Sequence, residues 1–224
     1  MADLRSSWNA ILPVARSVLG LEDDSANGQT NGHTSGHTLD DLAPMDLTIL
    51  FTDIENYAGA VDSLGDRLSL EVVHVHNRLV REALEHHGGH EIKHTGDGIM
   101  AWFASASRAV ATAVDLQLKT DRYNVATAKS GQSEPLSIRV GLNTGEPIRE
   151  DGDLFGTPVV VAARVADLAR GGHILVTDVV RQLSAGKGFE FTSIGTATLH
   201  GLSEPTAIFE VDWRASAKAA ESLP

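Results

Sequence analysis

Between positions 90 and 103 the chain reads His-Glu-Ile-Lys-His, then Thr-Gly-Asp-Gly, then Ile-Met-Ala-Trp-Phe, and the middle four residues leave the backbone few options. Asp and Gly tolerate the left-handed conformations that a tight hairpin needs, so two strand-like runs joined this way fold back on each other and leave Asp97 at the tip. A second acid-bearing end precedes it. Residues 47–55 (LTILFTDIE) form a β-branched and aromatic run that delivers Asp53 at its C-terminal edge. If the two runs are neighbours in one sheet, their carboxylates meet. Mg²⁺ is commonly held by one or two carboxylates plus water and substrate phosphate, so Asp53 and Asp97 suffice for a nucleotide-bound metal site. Taken alone, each Asp also suits plain turn chemistry.

Composition narrows the classes. With 224 residues, 42% of them hydrophobic, the chain can bury a core of its own. A net charge of -12 argues against a general nucleic-acid binder, because affinity for the phosphate backbone rests on basic surface. There is no cysteine, which excludes disulfides and thiolate metal sites. No apolar run approaches the roughly 18 residues of a membrane span and no signal peptide is visible, so the expectation is a soluble, cytoplasmic protein.

Residues 1–44 read as an N-terminal segment: a short amphipathic helix over 4–20, weakened by Pro13, then a polar Gly/Ser/Thr/Asn-rich linker over 22–44 that cannot offset its own ordering entropy. Residues 45–213 read as one domain, and 214–224 as a frayed C-terminal tail. Within the domain, apolar spacing predicts helical structure over 58–87, stopped by Gly88-Gly89, and a further helix over 107–122. A polar loop over 127–135 leads to a strand over 136–143. Thr157 and Pro158 suit the cap and first turn of a helix that carries Val160 and, one turn later, Arg164. Residues 173–184 read as a strand, a Thr-Asp cap and a short helix, and 189–212 as closing strands. This order predicts an α+β sandwich whose largely antiparallel sheet, made by sequential hairpin pairing, is covered by helices.

Four stretches in register, FTDIENYAG, EIKHTGDGIMAWF, IRVGLNTGEPI and DGDLFGTPVVVAARVADLA, resemble the catalytic domain of class III nucleotidyl cyclases, the adenylate and guanylate cyclases. The resemblance spans residues 46 to about 213. It implies a ferredoxin-like α+β domain acting as a head-to-tail homodimer, with active sites composed at the interface. It also implies that Asp53 and Asp97, assisted by the backbone carbonyl of Ile54, hold two divalent cations, Mg²⁺ or Mn²⁺. The chemistry agrees, since two metals stabilise the attacking and leaving oxygens of an in-line phosphoryl displacement.

Substrate choice follows from donors and acceptors. Adenine presents an acceptor and an amino donor on its pairing edge, which a cation beside a carboxylate would match. Lys93 and Asp153 fall where adenylate cyclases carry such a pair, so the resemblance favours ATP over GTP. Arg164 matches the family's transition-state arginine, and Arg139 the position of a phosphate-contacting arginine in some relatives. Two positions depart. Val160 stands where the family usually has a ribose-steadying asparagine, and His200 near where relatives present a lysine to the triphosphate. Two readings follow: an adenylate cyclase making cyclic AMP and pyrophosphate, with turnover lowered by Val160, or a cyclase-like module that binds nucleotide or a partner and turns over little. His74, His76, His86, His87, His90 and His94 do not read as a transition-metal centre, because helical ligand pairs need i, i+4 spacing plus further ligands.

Overall fold

Both faces of the first strand are covered by other elements, which is why its apolar run is almost unbroken. The computed structural model describes residues 45–129 and 135–221, so the helix expected over 4–20, the linker over 22–44 and most of the polar loop lie outside the described residues. In chain order the elements are β1 (Leu47–Ile54), α1 (Tyr57–Leu64), α2 (Asp66–His87), β2 (His90–His94), β3 (Gly98–Phe103), α3 (Ala106–Ala128), β4 (Ile138–Gly145), β5 (Ile148–Glu150), β6 (Asp153–Phe155), α4 (Thr157–Leu168), β7 (Ile174–Thr177), α5 (Asp178–Leu183), β8 (Phe191–Thr198), β9 (Pro205–Val211) and α6 (Trp213–Glu221).

The main sheet runs β2-β3-β1-β4-β7-β9-β8, and β5 pairs with β6 in a small second ribbon. Among the described residues, only the β4/β7 pairing of the main sheet is parallel. The α+β sandwich is therefore as expected, but sequential hairpin pairing is not its rule. It holds for β2/β3 and β8/β9, whereas β1 lies between β3 and β4 and so is an interior strand, third of the seven.

Strand alternation divides the side chains between two layers. Leu50 and Ile54 of β1 and Ile99, Ala101 and Phe103 of β3 face α2 and α3 in the larger core. Leu47, Ile49, Met100 and Trp102 point the other way, to Leu154 of β6 and Ala162 of α4. Gly141 of β4 shows how closely α4 is laid on: a Cβ there would come within 2.1 Å of the Ala166 backbone nitrogen. Only glycine permits that approach.

Several boundaries differ from the sequence reading. Gly88 does end α2, in the left-handed conformation with φ 70°, and its N–H reaches the Leu84 carbonyl. By contrast α3 continues through Thr127 to Ala128, the strand expected over 136–143 starts at Ile138 and runs to Gly145, and Gly156 rather than Thr157 occupies the cap position of α4. The expected frayed tail begins as an anchored helix. Trp213 is buried and donates its indole N–H to the Gly172 carbonyl at 2.9 Å, and Ala215 N donates to Asp212 Oδ1 at 2.9 Å. Among the described residues no helix is long and apolar enough to cross a membrane.

Candidate active site

The C-terminal end of β1 brings the two expected carboxylates together. Asp53 pairs with Gly98 across the β1/β3 ladder, and Ile54 N donates to the Asp97 carbonyl at 3.3 Å, so the hairpin tip is stitched to the strand end. Burial and the negative charge of Asp53 raise the Asp97 carboxyl above its ordinary range, with Arg139 working in the opposite direction. Two acids in mutual repulsion are a donor set that fits a hard cation. The residues present therefore suit a divalent metal.

Arg139 lies opposite Asp53 on β4, on the face that carries α4. Its Nε donates to Asp53 Oδ2 at 2.8 Å, Nη2 donates to the same oxygen, and Nη1 reaches the Asp167 carbonyl at 3.3 Å. The guanidinium is thus engaged with a metal-candidate carboxylate rather than held open for a phosphate. Sequence reasoning missed this pairing, since it follows from strand register alone.

Behind the strand end sits a buried polar chain that sequence reasoning also missed. His76 of α2 is 0% exposed, with Nε2 3.0 Å from Thr52 Oγ1 and Nδ1 2.9 Å from Asn77 Oδ1. Ile99 N donates to Thr52 Oγ1 at 3.1 Å. One proton arrangement satisfies every link: Ile99 N–H to Thr52, the Thr52 hydroxyl to His76 Nε2, and His76 Nδ1–H to Asn77. Burial pushes the His76 pKa down to about 4, outweighing the hydrogen bond with Asn77 and the charge of Asp53. The neutral ring therefore locks β1, β3 and α2 together one residue before Asp53. Its available signal was position, because His76 falls four residues before Val80 on the apolar stripe of α2.

Lys93 and Asp153 meet as an ion pair. A β-bulge makes this possible. Glu91 pairs with Ala101 and Lys93 with Met100, so Ile92 is extra and the strand parity changes between them. In a regular strand Lys93 would share the α2 face with Glu91, whose carboxylate binds Arg81 at 2.8 Å. The bulge turns it to the α4 face, where β6 holds Asp153. Burial favours the protonated acid, but the Lys93 hydrogen bond, the Leu154 N–H at 2.8 Å and the Lys93 charge outweigh it and hold the Asp153 carboxyl below its ordinary range. The result is a cation and an anion side by side, with the ammonium 5.6 Å from the centre of the Phe155 ring.

Arg164 of α4 donates through Nη1 to Asp167 Oδ2 at 2.9 Å, while its buried Nε has no hydrogen-bond partner among the described residues. Val160, one turn earlier, is 41% exposed and not a core residue. His200 is exposed in the connection between β8 and β9. Through Asp167, Arg164 and Arg139 converge on one helix end near Asp53.

The family model described as the adenylate and guanylate cyclase catalytic domain matches residues 43–211. A putative adenylate cyclase of Rhizobium meliloti is 33% identical over 124 residues, covering 55% of this chain and 21% of that protein. A receptor-type adenylate cyclase of Trypanosoma brucei brucei is 27% identical over 217 residues, covering 77% and 38%. The chain thus spans well under half the length of either relative. Among solved structures, an adenylate/guanylate cyclase/hydrolase from Silicibacter pomeroyi is 28% identical with a TM-score of 0.66, over 75% of this chain and 97% of that one.

Proposed function

The chain belongs to the family of adenylate and guanylate cyclase catalytic domains, and from that premise we propose that residues 45–213 form an adenylate cyclase domain that converts ATP to cyclic AMP and pyrophosphate. Our reading is that the domain binds nucleotide and that two copies of this chain associate head to tail and compose the sites between them. The observation that carries the choice of ATP is the Lys93–Asp153 pair. A lysine donor suits the adenine N1 acceptor and a carboxylate suits the N6 amino group, whereas guanine presents the reverse order.

Asp53, Asp97 and the Ile54 carbonyl are the groups that would hold two divalent cations, Mg²⁺ or Mn²⁺, whose contribution is to stabilise charge on the attacking and leaving oxygens. In the reaction the ribose 3′-hydroxyl attacks the α-phosphorus, a new P–O bond forms, and the bond to the bridging oxygen breaks to release pyrophosphate. Arg164 supplies a planar, permanently charged donor to the phosphate oxygens. Lys93 and Asp153 orient the base. Val160 offers no donor to the ribose, and loss of one preorganised polar contact at a reacting centre lowers turnover by about 10² to 10³. ATP is a cytoplasmic metabolite, so the same reading places the domain in the cytoplasm.

Val160 and the engagement of Arg139 with Asp53 favour a second reading, a nucleotide-binding module with little turnover. Incubating the protein with each of the four ribonucleoside triphosphates and Mg²⁺ or Mn²⁺, followed by product chromatography, separates the two. Cyclic AMP from ATP is the expected product. Cyclic GMP alone would overturn the base assignment, and no cyclic product from any triphosphate would leave the binding module.

A further inference from the structure

We propose that the C-terminal end of α2 and the middle of α3 form a binding site for a nitrogen-preferring transition-metal dication such as Zn²⁺ or Ni²⁺, with His86, His87 and Asp115 as its protein ligands. His86 Nδ1 lies 3.3 Å and His87 Nε2 3.5 Å from the same oxygen, Asp115 Oδ2. All three ligand atoms lie within 4.8 Å of one another. Tetrahedral Zn²⁺, with bonds of about 2.0–2.1 Å, sets its ligand atoms about 3.3–3.4 Å apart. Two edges of such a tetrahedron are therefore already present, and closing the third needs only rotation of rings whose centres are 4.6 Å apart at a helix end.

Adjacent histidines rarely share a metal from the middle of a helix, because successive side chains diverge by about 100°. Here the two residues form the last turn of α2, before Gly88, and α3 brings Asp115 in between them. The third ligand comes from another helix, which is why spacing along α2 gave no sign of it.

The surroundings support the assignment. Asp115 Oδ1 faces Lys119 Nζ at 3.9 Å, and Lys119 lies 3.7 Å from Glu82 Oε2, so the carboxylate is oriented by its other oxygen while Oδ2 is directed at both rings. Imidazole nitrogens select Zn²⁺, Ni²⁺ or Cu²⁺ over Mg²⁺. The site precedes β2 and the Asp97 turn follows it, a separation of about 15 Å along a five-residue strand, so the two metal chemistries are independent.

Calorimetric titration of the full chain with ZnCl₂ and with NiCl₂ tests this, comparing the parent with Asp115→Asn, with the double variant His86→Ala/His87→Ala, and with Asp53→Asn. The parent and Asp53→Asn are expected to take up one equivalent that raises the melting temperature. Asp115→Asn, which keeps the side-chain shape, and the double variant should bind at least about tenfold more weakly and lose the thermal shift. Parent protein that takes no metal at about 100 µM, or variants at α2 and α3 that bind like the parent, would overturn the site. Binding lost only in Asp53→Asn would also overturn it, by assigning the metal to the carboxylate pair. The outcome leaves the cyclase reading untouched, since that rests on nucleotide products.

Discussion

Arg139 stands directly across the β1/β4 ladder from Asp53 and gives two of its donors to one carboxylate oxygen. Half of the acidic pair is thereby neutralised within the same chain. With Arg139→Ala, Asp53 and Asp97 keep their repulsion and lose this counter-charge. The pair is about a quarter exposed, so its loss is discounted from a fully buried one: metal-free protein should lose about 1 to 2 kcal/mol. Thermal melts in chelator should show the drop, and Mn²⁺ should restore more stability to the variant than to the parent. Equal response of both proteins to Mn²⁺ would refute a metal site at Asp53.

Asp97→Ala is the cleaner test of the metal ligands, because Asp53→Ala would also strand Arg139. Cyclisation should fall by at least about 10² to 10³ while the circular dichroism spectrum is unchanged. Mixed with an inactive Arg164→Ala protein, Asp97→Ala should regain activity if each site draws on both chains. No recovery after proven subunit exchange would place every site within one protomer.

Val160→Asn restores a donor one turn before Arg164. Because Val160 is 41% exposed, the amide is not forced into the core, and thermal stability should be unchanged. Turnover should rise about tenfold, equivalent to about 1.4 kcal/mol of transition-state stabilisation. Unchanged kcat in a variant that melts like the parent would remove Val160 as the limit on activity.

His76 makes stability depend on pH. Its folded pKa of about 4 lies below the unfolded value of 6.5, so between these values the unfolded chain binds more protons and stability falls as pH is lowered. The contribution is complete above about pH 6.5 and has lost about 3 kcal/mol by pH 4. His76→Leu should be less stable at pH 7 by about 1 to 3 kcal/mol, because it leaves the Thr52 hydroxyl only the long 3.5 Å bond to the Ile99 carbonyl and takes the ring donor from Asn77 Oδ1. Its denaturation midpoints should nevertheless vary less between pH 6.5 and 4 than the parent's. Identical slopes would show that the ring is protonated in the fold.

What could be read from the sequence was local. The Asp97 turn, the Gly88 stop and the apolar run of β1 are fixed by neighbours within a few residues, and each stands where the residues indicated. Placement across the sheet was not local. Whether β1 lies at an edge or at the centre depends on which strands reach it, and nothing between residues 47 and 54 encodes β3 and β4 on its two sides. The same holds for Arg139, whose role turned on the residue opposite it, and for Trp213, whose indole found a carbonyl 41 positions away. Lys93 and Asp153 were legible as chemistry, but the bulge that joins them is a backbone event with no residue signature of its own.

That bulge has a consequence for how this lineage can change. On the adenylate cyclase reading, base selection depends on backbone register as well as on which residues are present, since a regular strand that kept every residue of β2 would set Lys93 beside Glu91 on the Arg81 face and leave Asp153 alone on the opposite one. A strand made regular without any change in length could retain every charged group and still lose the Lys93–Asp153 pair, so a substitution that abolishes the bulge is as consequential as one in the pair itself.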